Sequence, residues 1–206
     1  MIPPVPLLPT AAPWLDLAGL AVFATSGALA AAQRRQTLVT LSFFALITGV
    51  GGGTVRDLLI GAPVFWVRDG KVAALCLIVA LLIWMTPRRW WSGAALDWFD
   101  AVGLAAYAAY GAAKALKYGV PPVPAAVMGV VSACVGGIIR DVLAGEPSIL
   151  MRPELYVTAA ALASASFVTL TALGLDATTA GLIAATAGFA LRAAAIRWKL
   201  ALPGYR

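Results

Sequence analysis

No histidine occurs in the 206 residues, and there are only two cysteines, nine acidic residues and fifteen basic ones. Without histidine the commonest metal ligand and the usual neutral-pH base are missing, which leaves little material for a metalloenzyme. No nucleophile–base pair is recognisable either, so the chain is not read as an enzyme and no cofactor is expected. Cys76 and Cys134 both lie inside apolar runs and read as small buried hydrophobes. Charge is scarce, at 12% of residues against 62% hydrophobic. A soluble domain of this length needs a polar surface that such a composition cannot supply. The opening MIPPVPLLPTAAPW holds no Lys or Arg, so it reads as a Pro-rich entry to a first span rather than a secretory signal. The formal charge of +6 does not indicate nucleic acid as a partner, because the basic residues sit at span ends and form no continuous patch.

What is present is a series of long apolar runs. A stretch of roughly 20 residues crosses the ~30 Å hydrocarbon layer. Seven spans are predicted, at about 14–33, 37–61, 71–87, 96–116, 122–145, 155–174 and 177–198. With the spans alternating, Arg34, Arg35, Arg88, Arg89, Arg140, Arg152, Arg192, Arg197, Lys199 and Arg206 fall on one side, and Arg56, Arg68, Lys71, Lys114 and Lys117 on the other. The positive-inside rule then places the C-terminus in the cytoplasm and the N-terminus outside. All seven tryptophans lie near span ends, as an interfacial belt requires.

Shifting the chain by 84 residues aligns its two halves without a gap. Asp16 meets Asp100, Gly19 meets Gly103, Gly27 meets Gly111, Gly52-Gly53 meets Gly136-Gly137, and Arg56-Asp57 meets Arg140-Asp141. Leu59, Gly61, Pro63 and Arg68 continue the register at Leu143, Gly145, Pro147 and Arg152. This is a duplication. Each copy holds three spans, so the second enters the membrane from the opposite side. The expected architecture is all-α: one transmembrane domain over residues 1–206, with inverted three-helix repeats at about 14–87 and 96–174 and an extra helix at about 177–198.

The second span, LVTLSFFALITGVGGGTVRDLLIG, has 13 residues from Leu38 to Val50 before Gly51, Gly52 and Gly53. Three consecutive helical glycines cost roughly 1 kcal/mol each relative to alanine, and Gly136-Gly137 repeat the feature in the fifth span. A kink or unwound turn is expected at both places, with first half-helices ending in unpaired carbonyls that suit a cation. Close helix packing is the other reading of small residues at such positions. Arg56-Asp57 and Arg140-Asp141 follow the glycines, and ionisable groups at this depth are costly and usually paired or functional. They either line and gate a path or hold the re-entering half-helices, as the box-like Thr54-Val55-Arg56-Asp57 suggests. Asp16 and Asp100 read as first-turn capping groups. Phe23 and Ser26 share a helical face with Gly19 and Gly27, and Tyr107, Tyr110 and Lys114 one with Gly103 and Gly111. Thr48 and Ser132 stand one turn before the glycines and complete the pore-lining candidates. Lys114 faces Ala30 of the first repeat and reads as a snorkelling or a gating charge, while Glu146 is expected to pair with Arg140 or Arg152.

GGGTVRDLLIG and VGGIIRDVLAG on seven hydrophobic spans resemble the prokaryotic members of the trimeric intracellular cation (TRIC) channel family. The resemblance covers nearly the whole chain. It implies a homotrimer in a bacterial or archaeal inner or plasma membrane, each subunit with its own pore among the first, second, fourth and fifth helices. It implies passage of monovalent cations, chiefly K⁺, with kinks at Gly51, Gly52, Gly53, Gly136 and Gly137. The Lys-Glu-Val motif associated with phosphoinositide binding in animal members is absent, although another anionic lipid could sit against the basic ends. Bacterial relatives also carry a glycine-transporter label, and a secondary transporter of a small zwitterion such as glycine is the alternative.

Overall fold

The computed structural model describes residues 13–91 and 94–203. Seven α-helices follow one another among them: α1 Pro13–Gln33, α2 Leu38–Leu59, α3 Gly70–Met85, α4 Ala95–Lys117, α5 Pro122–Ala144, α6 Val157–Ala172 and α7 Ala177–Trp198. Each coincides with an expected span to within two residues at either end. The Pro-rich opening, the side chains of Trp14, Asp16 and Arg88, and Arg206 lie outside the described residues.

The ends of the helices follow from local chemistry. Asp69 accepts a hydrogen bond from the Lys71 amide at 3.0 Å to start α3, and Asp176 accepts from Thr178 and Thr179 to start α7. Pro122 opens α5, where its missing N–H costs nothing. The two halves also end their second helices alike. Gly61 and Gly145 both take φ +66°, and the amides that follow them reach back to the carbonyls of Asp57 and Asp141 at 2.8 and 3.0 Å. A left-handed glycine closing a helix this way satisfies its last carbonyls.

α2, α5 and α7 are each long and apolar enough to cross a membrane. α3 and α6 have 16 residues each, about 24 Å at ~1.5 Å per residue. Leu77, Ile78, Leu81, Leu82 and Met85 of α3 are exposed, which suits a helix whose outer face meets lipid. α1 packs on α2 and α3, and α4 packs on α5 and α6. The two repeats then meet through α2 on α5 and α1 on α4, while α7 lies on α4 and α6 of the second repeat. Phe23 and Tyr107, which the 84-residue shift relates to each other, meet edge to face with centroids 5.2 Å apart. The protein is a seven-helix membrane protein built of two inverted three-helix repeats plus one helix.

The glycine motifs correct one part of an expectation, the unwound turn. α2 runs as uninterrupted helix through Gly51, Gly52 and Gly53, and α5 through Gly136 and Gly137. Neither is unwound, so no half-helix ends at mid-membrane and no carbonyl terminus is available there for a cation. The reason is a close crossing. A Cβ on Gly52 would overlap the Ser132 carbonyl oxygen, and one on Gly136 would overlap that of Thr48. Packing repays the low helix propensity of the glycines. The alternative reading of close helix approach is the one observed.

Candidate functional site

The α2–α5 crossing is the centre of a symmetric arrangement. Thr48 and Ser132 are equivalent positions, and so are Gly27 and Gly111. A Cβ on Gly27 would lie 2.6 Å from the Thr48 hydroxyl, and one on Gly111 would overlap that of Ser132. Each hydroxyl is therefore wedged against a glycine of its own repeat while its carbonyl abuts a glycine of the other. Thr48 is 1% exposed, and no described residue hydrogen-bonds its Oγ1. Ser132 Oγ donates to the Met128 carbonyl at 2.7 Å.

Above and below this crossing lie two buried ion clusters. In the first, Arg56 Nη2 is 2.7 Å from Asp57 Oδ1, and Lys114 Nζ is 2.8 Å from the same oxygen. Asp57 Oδ2 accepts from the Phe65 amide at 3.1 Å. Arg56 also donates to Ser132 Oγ at 3.4 Å and lies 5.4 Å above the Tyr110 ring, and Tyr110 in turn packs on Tyr107 at 5.8 Å. In the second, Arg140 donates to Asp141 Oδ1 at 2.8 and 3.0 Å, to Asp100 Oδ1 at 2.6 Å and to Ser26 Oγ at 3.1 Å. Asp141 Oδ2 accepts from the Ile149 amide at 3.0 Å. The equivalence is close: Phe65 and Ile149 are 84 residues apart, as are Ser26 and Tyr110. Both arginines are at most 2% exposed, and buried charges of this kind persist only when paired.

Among the described side chains, Arg56, Asp57 and Lys114 sum to one positive formal charge, whereas Arg140, Asp141 and Asp100 sum to one negative. Lys114 supplies one unit of that difference, where the first repeat has Ala30, and Asp100 supplies the other.

Several residues stand elsewhere than expected. Asp100 is the sixth residue of α4 and caps nothing; the N-cap position is Ala94, without a side-chain bond, and Asp100 holds Arg140 instead. Thr54 does not cap a restarted helix. Its hydroxyl donates to the Val50 carbonyl at 2.7 Å and accepts from Trp66 Nε1 at 2.9 Å. Glu146 pairs with Arg34 rather than with Arg140 or Arg152. Lys114 turns inward to Asp57 and lies 5.8 Å over the Phe65 ring, instead of reaching outward. Phe23, Ser26, Thr48, Arg56, Asp57, Tyr107, Tyr110, Lys114, Ser132, Arg140 and Asp141 thus all lie on the seam where α1, α2, α4 and α5 meet. Arg192 of α7 was not among the candidates, because from the sequence it counts as one more basic residue near a span end. It is 1% exposed and ion-paired to Glu154 at 2.8 Å.

Comparison with known proteins agrees with this duplicated plan. A family model described as glycine transporter matches residues 13–88 and again 97–172, once per repeat. The UPF0126 inner membrane protein YadS of Escherichia coli K12 is 38% identical over 199 residues, covering 93% of this chain and 95% of its own. A UPF0126 membrane protein of Vibrio cholerae is 39% identical over 197 residues, with coverage of 93% and 81%. Among solved structures, the TRIC channel orthologue of Rhodobacter sphaeroides is 41% identical and superposes with a TM-score of 0.84 over 91% of this chain and 97% of its own. A second TRIC cation channel is 27% identical with a TM-score of 0.83, covering 95% and 98%. The chain therefore belongs to the family that the glycine-transporter model describes and is a prokaryotic relative of the trimeric intracellular cation channels.

Proposed function

We propose that this protein is a cation channel passing K⁺ and Na⁺, with its own path in each subunit of a homotrimer. The path follows the seam between α1, α2, α4 and α5. The observation that carries this reading is the pair of buried, carboxylate-bearing ion clusters at opposite ends of one glycine-lined crossing. A continuous polar seam through a membrane protein is costly unless it serves transport. Asp57, Asp100 and Asp141 give that seam three carboxylates, which favour cations over anions. In the present arrangement each carboxylate is ion-paired with Arg56, Lys114 or Arg140, so the path is closed at both ends. Opening requires those cations to leave the carboxylates. Lys114 is the most readily moved, because its side chain is 15% exposed while both arginines are sealed in.

The same reading places the protein in a bacterial or archaeal inner membrane, with the N-terminus outside and the C-terminus in the cytoplasm. Purified protein in planar bilayers under a KCl gradient should give discrete current steps that reverse near the K⁺ potential. A silent bilayer together with saturable glycine uptake into proteoliposomes would replace the channel by a transporter. That second reading has specific support in the family's description and in a seam closed at both ends at once, the occluded form that alternating access requires.

A further inference from the structure

We infer that α7 and the chain following it latch the Arg140 cluster shut, with Arg192 as the positioning residue, so that the two ends of the seam open independently. This rests on the path proposed above and adds a regulator to it.

The argument starts with what holds the α5–α6 connection. At one end the Ile149 amide binds Asp141. At the other, Glu154 pairs with Arg192 of α7 at 2.8 Å, and Arg192 lies 5.2 Å over the Tyr156 ring. The chain after α7 returns to the same place. Glu154 and Ala201 form an antiparallel bridge, and the Leu202 amide donates to the Pro153 carbonyl at 2.7 Å. Tyr156 carries the contact inward: it is 1% exposed, and a Cβ on Gly137 would lie 2.7 Å from its hydroxyl and 3.3 Å from Asp100 Oδ1. One connection therefore joins α7 and its tail to Asp141 and sets the Tyr156 ring against Gly137, next to Asp100.

The α2–α3 connection has the equivalent inner bond, Phe65 to Asp57, but no latch among the described residues. Gly70 stands where Glu154 would be and Val72 where Tyr156 would be, and no eighth element follows the first repeat. The latch residues occur only in the copy that α7 covers. Duplication supplied two similar clusters, and α7 made one of them answerable to the C-terminal tail.

The test uses full-length protein in proteoliposomes in a Cys76→Ala/Cys134→Ala background. Ser26→Cys reports access past the Arg140 cluster, and Ser132→Cys reports access past the Arg56 cluster. The probe is a membrane-impermeant cationic methanethiosulfonate. Ending the chain after Lys199 should speed labelling at Ser26→Cys by about tenfold or more and leave Ser132→Cys within about twofold. Arg192→Met should act in the same way, with Arg192→Lys largely restoring the slow rate; this covers the case in which the shortened chain fails to assemble. A simultaneous rise at both reporters would mean general loosening and overturn the latch. An unchanged Ser26→Cys rate, with Asp100→Asn still accelerating it, would overturn the latch and leave the path standing. Failure of Asp100→Asn to accelerate it would overturn the path and the latch with it.

Discussion

Asp57 is shared by three donors of different worth, and substitutions around it should separate them. Its Oδ1 faces Arg56 and Lys114, and its Oδ2 accepts from Lys114 Nζ at 2.9 Å and from the Phe65 amide. Asp57→Asn removes the buried carboxylate that Arg56 and Lys114 share, and removing one partner of a buried pair costs about 3–5 kcal/mol. Lys114→Met removes a cation that Asp57 can spare, since Arg56 still donates twice to Oδ1 and the Phe65 amide still binds Oδ2. The expected order of thermal stability in detergent is wild type, then Lys114→Met, then Asp57→Asn. The double variant should be more stable than Asp57→Asn alone, which separates charge repulsion from lost packing. In bilayers Lys114→Met should also raise open probability, and an unchanged value would remove Lys114 from gating. This pairing could not be read from the sequence. Lys114 and Asp57 are 57 residues apart and the first repeat has no lysine at the matching place, so nothing in the duplication pointed from one to the other. Arg192 was equally hidden. A basic residue six positions before the end of α7 looks like a topology signal until a neighbouring carboxylate is found against it.

Helices and their crossings were far more legible, since apolar run length and the 84-residue register fix where seven helices start and stop. What the register could not supply was the partner surface. Glycine propensity alone argued for unwinding, whereas a Ser132 carbonyl set against Gly52 argues for contact, and only a structure brings that carbonyl into view. The triplet now divides by what each glycine meets. A Cβ on Gly51 would come 3.2 Å from the Ile139 Cδ1 methyl, the movable end of a side chain, and one on Gly53 would come 2.7 Å from the Phe65 ring. The Gly52 Cβ would overlap backbone, which cannot swing away. Gly52→Ala should therefore destabilise by about 1–3 kcal/mol or more, Gly53→Ala by less, and Gly51→Ala should be neutral or slightly stabilising through helix propensity. A thermal unfolding series of the three variants would show that order, and equal losses at all three would contradict the packing account. The start of α7 offers a test by pH. Hydrogen bonds from Thr179 and Thr178 hold the Asp176 carboxyl below its usual range. A carboxyl lowered in the folded state stabilises above the unfolded value near pH ~3.9 and loses that contribution as pH falls through its folded value. The stability gap between wild type and Asp176→Ala should thus be present at neutral pH and shrink on acidification below about pH 4.

At the scale of the molecule, the position of the pseudo-twofold axis decides where a path can run. Phe23 and Tyr107 face each other across it, and Gly52 and Gly136 exchange contacts across it. The axis and the polar seam therefore lie inside one subunit, where α1, α2, α4 and α5 all come from the same chain. A threefold assembly would surround its own axis with outward faces such as that of α3, whose exposed residues Leu77, Ile78 and Leu81 are apolar. From Leu77 to Met85 that face of α3 carries no charged group, so a trimer should conduct through three separate seams. Trimers mixed from wild-type subunits and subunits bearing Ser26→Cys decide this. After treatment with a bulky thiol reagent, a molecule with one blocked subunit should lose about a third of its current, and one with two blocked subunits about two thirds, in equal steps. A shared central pore would respond differently, with every level dropping together or with no effect at all. Either response would return the path to the threefold axis and remove the reason for placing selectivity in Asp57, Asp100 and Asp141.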